Sequence, residues 1–89
     1  MSYKLKTPES YNKKLAKFLK SNPVLITPYK KTITLLEENP YHPSLRLHKL
    51  SGDLKEFHSV SINLKYRIVI DFIIEDELIT LINISNHYE

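Results

Sequence analysis

An α+β domain is what this chain predicts: two N-terminal helices packed on one face of a mainly antiparallel sheet of four to five strands. Three observations carry that reading. Apolar residues recur at helical spacing in two segments before Asn39, the period changes to two from Leu45 onward, and the joints between the later segments are short. Runs of helix followed by runs of strand give two layers sharing one core. With 89 residues and no repeat or low-complexity stretch, residues 1–89 make one domain.

Tyr3-Lys4-Leu5-Lys6 alternates and suits a short edge strand. Thr7-Pro8-Glu9-Ser10 supplies cap and first-turn residues for a helix, in which Tyr11, Leu15, Phe18 and Leu19 make one apolar stripe with lysines opposite. Ser21-Asn22-Pro23 ends it. A second helix runs to about Glu38, with Ile26, Tyr29, Ile33 and Leu36 as its stripe. Pro28 allows two starts, because proline lacks a backbone donor and clashes with a preceding turn. Either Thr27 caps a helix beginning at Pro28, or a helix from Pro23 is kinked there. Asn39-Pro40-Tyr41-His42-Pro43 reads as a rigid loop. Strands follow at Leu45 to Leu50, Phe57 to Asn63, Tyr66 to Ile74 and Leu78 to Ser85, and their short joints imply antiparallel hairpins.

Composition excludes several classes. Hydrophobic residues are 42% and charged residues 26%, an ordinary globular balance. No apolar run approaches the roughly 20 residues that span a bilayer, and the N-terminus lacks a signal-peptide pattern, so a cytoplasmic protein with no membrane partner is expected. Zero cysteines leave no disulfide or thiolate site, and four histidines without regular spacing make no zinc site. One glycine can build neither a phosphate-binding loop nor a nucleophile elbow. No cofactor is implied. The net charge is only +3, but lysines crowd the first twenty positions and basic residues recur at Arg46, Lys49, Lys55, Lys65 and Arg67. Solvated helix faces would look the same; a footprint for polyphosphate is the sharper reading.

Parity assigns the faces of the sheet. Ile68, Ile70, Phe72 and Ile74 are even, as are Leu78, Thr80, Ile82 and Ile84, and Val60 and Ile62. Residues of one parity point one way along a strand, so these sets are expected in the core. A three-residue turn at Glu75-Asp76-Glu77 then puts Arg67 across from Ser85. The opposite face is expected to be open and polar, carrying Ser59, Ser61, Arg67, Asp71, Asn83, Ser85 and, if the last strand continues, His87 with Tyr88 beside it. Leu45 and Leu47 suit the core, which turns Arg46 and His48 to the polar side. A plain solvated face would also be polar. His42 reads as a structural loop residue and His58 as a satisfied, half-buried histidine on the core side.

The stretches "HKLSGDLKEF" and "INLKYRIVI" and the terminal "HY" resemble the RelE/ParE superfamily of bacterial toxins, nearest its YoeB-like and YafQ-like branches, over nearly the whole chain. The resemblance implies a small endoribonuclease that cuts mRNA at the ribosome, held inactive by a cognate antitoxin in a toxin–antitoxin hetero-oligomer. Arg67 matches the arginine that grips the scissile phosphate. His87 and Tyr88 match the terminal pair of the YoeB-like branch, and His48 matches a histidine of the YafQ-like branch. Lys49, Lys65 and Tyr66 fall where relatives contact RNA; Arg46, Lys55 and Asn83 complete the expected RNA-contacting set. Ser44 replaces the glutamate that serves as base in YoeB-like enzymes, and Asn83 and Ser61 replace an arginine and a histidine of YafQ-like ones. The site is a hybrid, and the identity of its base is open.

Those residue types suit metal-independent cleavage of RNA. The ribose 2′-OH attacks the adjacent phosphorus, which needs a base, an acid for the leaving 5′-oxygen and a cation on the developing charge. Imidazole exchanges protons near neutral pH, and guanidinium offers a charged planar fork to two phosphate oxygens. The resulting expectation is His87 as acid, Arg67 as phosphate clamp, His48 as candidate base and Tyr88 as orienting group. A second class is a non-catalytic ParE-like toxin or interaction module that inhibits DNA gyrase. A terminal proton shuttle favours the nuclease.

Overall fold

The stripe of Tyr11, Leu15 and Leu19 does form one side of a helix. In the computed structural model, which describes residues 3–73 and 76–86, helix α1 spans Glu9–Ser21 and buries Tyr11 completely, with Leu15 and Leu19 packed on the core beside it. Pro8 occupies the N-cap position, no side chain caps the helix, and the Asn12 side chain instead donates to the Thr7 carbonyl (3.3 Å). Helix α2 spans Ile26–Glu38 and follows directly on a 3-10 turn at Pro23–Leu25. Neither expected start is found. Pro28 is the third residue of α2, within the first turn, where its missing N–H has no helical acceptor to lose. The Tyr11 and Tyr29 hydroxyls meet at 2.6 Å and satisfy each other inside the core.

The strands are β1 (Lys4–Lys6), β2 (His48–Lys49), β3 (His58–Ser61), β4 (Tyr66–Ile73) and β5 (Leu78–Asn86), in the order β1-β5-β4-β3-β2. The pairings among β2 to β5 are antiparallel, as the short joints imply, but β1 joins β5 in parallel, so the sheet is mixed. The parallel edge could not be read from the joints, because β1 reaches β5 across the whole chain. One buried cluster unites Tyr11, Tyr29 and Leu36 from the helices with Leu45, Val60, Ile68, Ile70, Ile79 and Leu81.

Two expectations about strands need correction. Leu45 to Leu50 is not one strand. Pro43–Leu45 forms a 3-10 turn, Arg46 closes it in the left-handed region (φ 49°), and only His48 and Lys49 pair. Proline at the first turn position favours that local coil over an extended start. Parity along β5 also fails halfway. Ile73 pairs with Leu78, so the connection from β4 is one residue longer than the expected turn, and a bulge between Val69 and Ile70 absorbs the difference opposite Ile82. Ile79 and Leu81 are therefore the buried residues of β5, and Thr80 and Ile82, expected in the core, are not. Beyond the bulge the expected register holds, with Ile84 against Ile68 and Ser85 against Arg67. Ile74 lies outside the described residues.

Leu81→Ala should lower the unfolding free energy by about 2–5 kcal/mol, and Ile82→Ala by about 1 kcal/mol, because only the first opens a core cavity. Urea denaturation of the two variants compares them; equal losses would contradict the bulge.

Candidate active site

Cross-strand partners share a face, so the register fixes which side chains stand together. Arg67 has Ser61 on one side and Ser85 on the other, and the next same-face row is His48, Ser59, Val69 and Asn83. Arg67 is 8% exposed, and its Nε donates to Ser85 Oγ at 3.2 Å. A cleft of about 230 Å³ lies over it, lined by Arg67, Asn83 and Ser85, the bulged Ile82, and two residues from elsewhere, Lys14 of α1 and Leu54. Two cations therefore border one small cleft.

That face is not the open polar surface expected from alternation. Ser59 is fully buried and Val69 nearly so. Leu54, delivered by the 3-10 turn at Gly52–Leu54, stands over it. Gly52 makes that turn possible, since its φ of +66° strains any residue with a Cβ. Lys14 and Leu54 are the site residues that pattern reading missed. Lys14 looked like any other lysine on the polar side of α1, and only tertiary packing brings it to the cleft.

His48 is exposed on β2 and held at both ring nitrogens. Its Nδ1 lies 3.1 Å from the Arg46 carbonyl oxygen, which can only accept, so Nδ1 carries the proton and donates. Nε2 is then the basic nitrogen, accepting from Ser59 Oγ at 3.4 Å on the Arg67 face. The left-handed backbone of Arg46 aims that carbonyl. At ordinary strand spacings, His48 and Arg67 have backbones about 12 Å apart, two strands over and one same-face step along.

The other expected site residues divide. Asn83 shares the Arg67 face. Arg46 is exposed at the close of its turn, and its backbone carbonyl accepts from His48. Lys49 and Lys55 are exposed, Lys49 on the opposite side of β2 from His48. Tyr66, next to Arg67 on β4, faces the other way, edge-on to Phe18 at 5.0 Å with Lys65 Nζ 5.3 Å from its ring. His87 and Tyr88 lie outside the described residues. Ser44, at the place of the family glutamate, donates its N–H to His42 Nδ1 (3.1 Å), so His42 is the structural loop residue expected. His58 is half-buried on the core side, edge-on to Phe72, but it is not satisfied: its Nδ1 is buried with no hydrogen-bond partner among the described residues. Burial, then the charges of Lys49 and His48, push its pKa below 6.5, against a smaller upward pull from Asp71.

Two measurements follow. A base with a depressed folded pKa contributes full stability above pH 6.5, where neither state is charged. As pH falls below 6.5 the unfolded chain binds the proton first, and stability declines until the folded pKa is passed. The unfolding free energy should fall on acidification below pH 6.5, and His58→Gln should flatten that slope. For His48, an imidazole ¹⁵N spectrum at pH 8 should show the proton on Nδ1; a proton on Nε2 would contradict the assigned contact.

No family model matches the sequence, and no curated protein sequence matches it either. Solved structures do match in fold. YafQ from E. coli strain BL21(DE3) superposes with a TM-score of 0.76 at 15% identity, covering 97% of this chain and 94% of that one. The toxin–antitoxin complex RelBE2 from Mycobacterium tuberculosis gives 0.75 at 14% identity, covering 98% and 100%. The YoeB/ParE toxin from Agrobacterium tumefaciens gives 0.74 at 18% identity, covering 96% and 99%. Across almost its full length, the chain has the fold shared by these YafQ, RelE and YoeB toxins of type II toxin–antitoxin systems, the structural type its sequence resembles.

Proposed function

We propose that the chain is a RelE/ParE-superfamily toxin of a type II toxin–antitoxin pair, and that it cuts mRNA on the ribosome without a metal. The observation that carries this reading is the placing of two groups on one face of the sheet: a buried guanidinium anchored by Ser85 and an exposed imidazole whose basic nitrogen is fixed by its tautomer. A module that acts by binding alone has no need of the second group.

In the proposed reaction His48 Nε2 takes the proton of the ribose 2′-OH as that oxygen bonds to phosphorus. Arg67, with Lys14 nearby, stabilises the charge that grows on the phosphoryl oxygens. The bond to the 5′-oxygen breaks, and His87, two residues after Ser85, protonates the leaving oxygen while Tyr88 orients it. The products are a 2′,3′-cyclic phosphate and a 5′-hydroxyl. Lys49, Lys55, Lys65 and Asn83 are proposed to contact the RNA backbone. Proton transfer contributes about 10²- to 10⁴-fold to such a reaction. DNA has no 2′-OH and survives. The setting is the cytoplasm, and the partner is a cognate antitoxin, a reading supported by the toxin–antitoxin assembly of the Mycobacterium tuberculosis relative. An acidic segment of that partner would neutralise the lysines of α1 and the cleft.

Induced expression followed by primer extension on cellular transcripts tests the reading. Transcripts should be cut, and Arg67→Ala or His87→Gln should each relieve growth arrest and lower cleavage at least 100-fold. DNA damage with intact transcripts would identify a gyrase inhibitor instead. Full toxicity of the Arg67→Ala chain would remove Arg67 from the site.

A further inference from the structure

Among the described residues, the buried Ser59 hydroxyl has one hydrogen-bond partner, His48 Nε2 at 3.4 Å, and the reaction outlined above needs that same nitrogen open. We propose that Ser59 is a positioning residue that latches His48: its hydroxyl caps the basic nitrogen at rest, and the ring swings off it before the base can act. The latch rests on the RNA-cleaving reading and adds to it a step that precedes proton transfer.

The geometry leaves no room for serine and substrate together. An imidazole with its proton on Nδ1 has a single lone pair at Nε2, lying in the ring plane. Nδ1 is committed to the Arg46 carbonyl at 3.1 Å, so the Ser59 O–H is the donor to that lone pair. Ser59 is fully buried, and no ribose hydroxyl can approach from its side. A 2′-OH meets Nε2 only when the ring has turned away from Ser59.

The surroundings permit that turn and reverse it. His48 is exposed on β2, a strand of two residues at the edge of the sheet. Ser59 cannot follow it, because β3 lies between β2 and β4 and pairs Ser59 with His48 on one side and Val69 on the other. The moving half of the contact is thus on the edge and the fixed half inside. At 3.4 Å the contact is the longer of the two that hold the ring, near the limit for a hydrogen bond, so it yields readily. Once released, the serine hydroxyl is buried without a partner. The desolvation cost of such a group draws the ring back after each turnover.

The test uses the full chain and Ser59→Ala, which removes the hydroxyl and keeps the backbone pairing. Diethyl pyrocarbonate acylates an uncharged imidazole at a free lone pair, and peptide mass spectrometry reads its rate at His48 without any RNA. His48 should be labelled about two- to tenfold faster in Ser59→Ala, the range set by one modest hydrogen bond, with the rate at His42 unchanged. Cleavage of a short single-stranded RNA should gain the same factor in kcat with KM nearly unchanged. Ser59→Cys, whose thiol is a weaker donor, should fall between the two. Equal or slower labelling overturns the latch. So does a loss of kcat, the sign expected if the serine merely aims the ring. If the unaltered chain cuts no RNA, the nuclease reading fails, and the labelling rates alone judge the latch. If neither variant folds, the imidazole ¹⁵N spectrum of the unaltered chain decides. An Nε2 resonance displaced by a hydrogen bond upholds the latch, and one at the position of a free lone pair overturns it.

Discussion

The single extra residue in β5 is the constraint on which the rest depends. The connection between β4 and β5 makes Ile73 face Leu78, a register that buries Ile79 and Leu81 against Ile70 and Phe72. Carried unchanged to the end of the strands, the same register would set Ile84 opposite Arg67 and Asn83 against Ile68. The bulge at Val69/Ile70 resets the count. Past it, Ile84 joins the core and Ser85 meets the guanidinium. One irregularity thus lets a continuous pair of strands serve a dry core at one end and a polar site at the other. Bulges commonly re-aim side chains beside functional sites in this way.

Much of this was legible before any coordinates. Helical stripes of apolar residues must find a core, so α1 and α2 are close to where the spacing puts them. Arg67 opposite Ser85 is expected from parity and a three-residue turn, and it stands because the bulge cancels the shift that the longer connection introduces. What parity cannot see is an insertion that costs no hydrophobic residue. Ile82 is as apolar as Leu81, so hydrophobicity gives no sign that one is buried and the other borders the Arg67 cleft. Arg46 is hidden for a similar reason. A left-handed backbone is expected of glycine or asparagine, and nothing about an arginine between two leucines announces it. Lys14 and Leu54 depend on long-range packing, which local pattern does not encode.

Sharing a fold with YafQ, RelE and YoeB toxins at such low identity constrains the scaffold far more than the chemistry. In this chain the scaffold places Arg67 near the start of β4 and an edge strand, β2, two places over. What stands on that edge belongs to this chain. Here the glutamate position holds Ser44, whose backbone is committed to His42. On the nuclease reading proposed above, Ser44 offers no base at that place, and the proton acceptor comes from elsewhere on the same face. His48 is the described residue there with a titratable nitrogen, and its tautomer is set by a carbonyl rather than by the carboxylate usual for an oriented imidazole.

His48 and His58 show how alternation divides labour between two rings that stand on neighbouring strands. Lys49, not His48, is the partner of His58, so the two imidazoles emerge on opposite sides of the β2–β3 ribbon. His48 reaches solvent and keeps both nitrogens engaged. His58 is turned toward Phe72, where burial and two basic neighbours disfavour its charged form. A ring kept neutral is a poor acid and a poor partner for phosphate, but it retains one donor and one acceptor with fixed directions. His48 lies on the face of Arg67, and His58 lies on the core side against Phe72. The period of a strand alone thus sets the two rings in different surroundings.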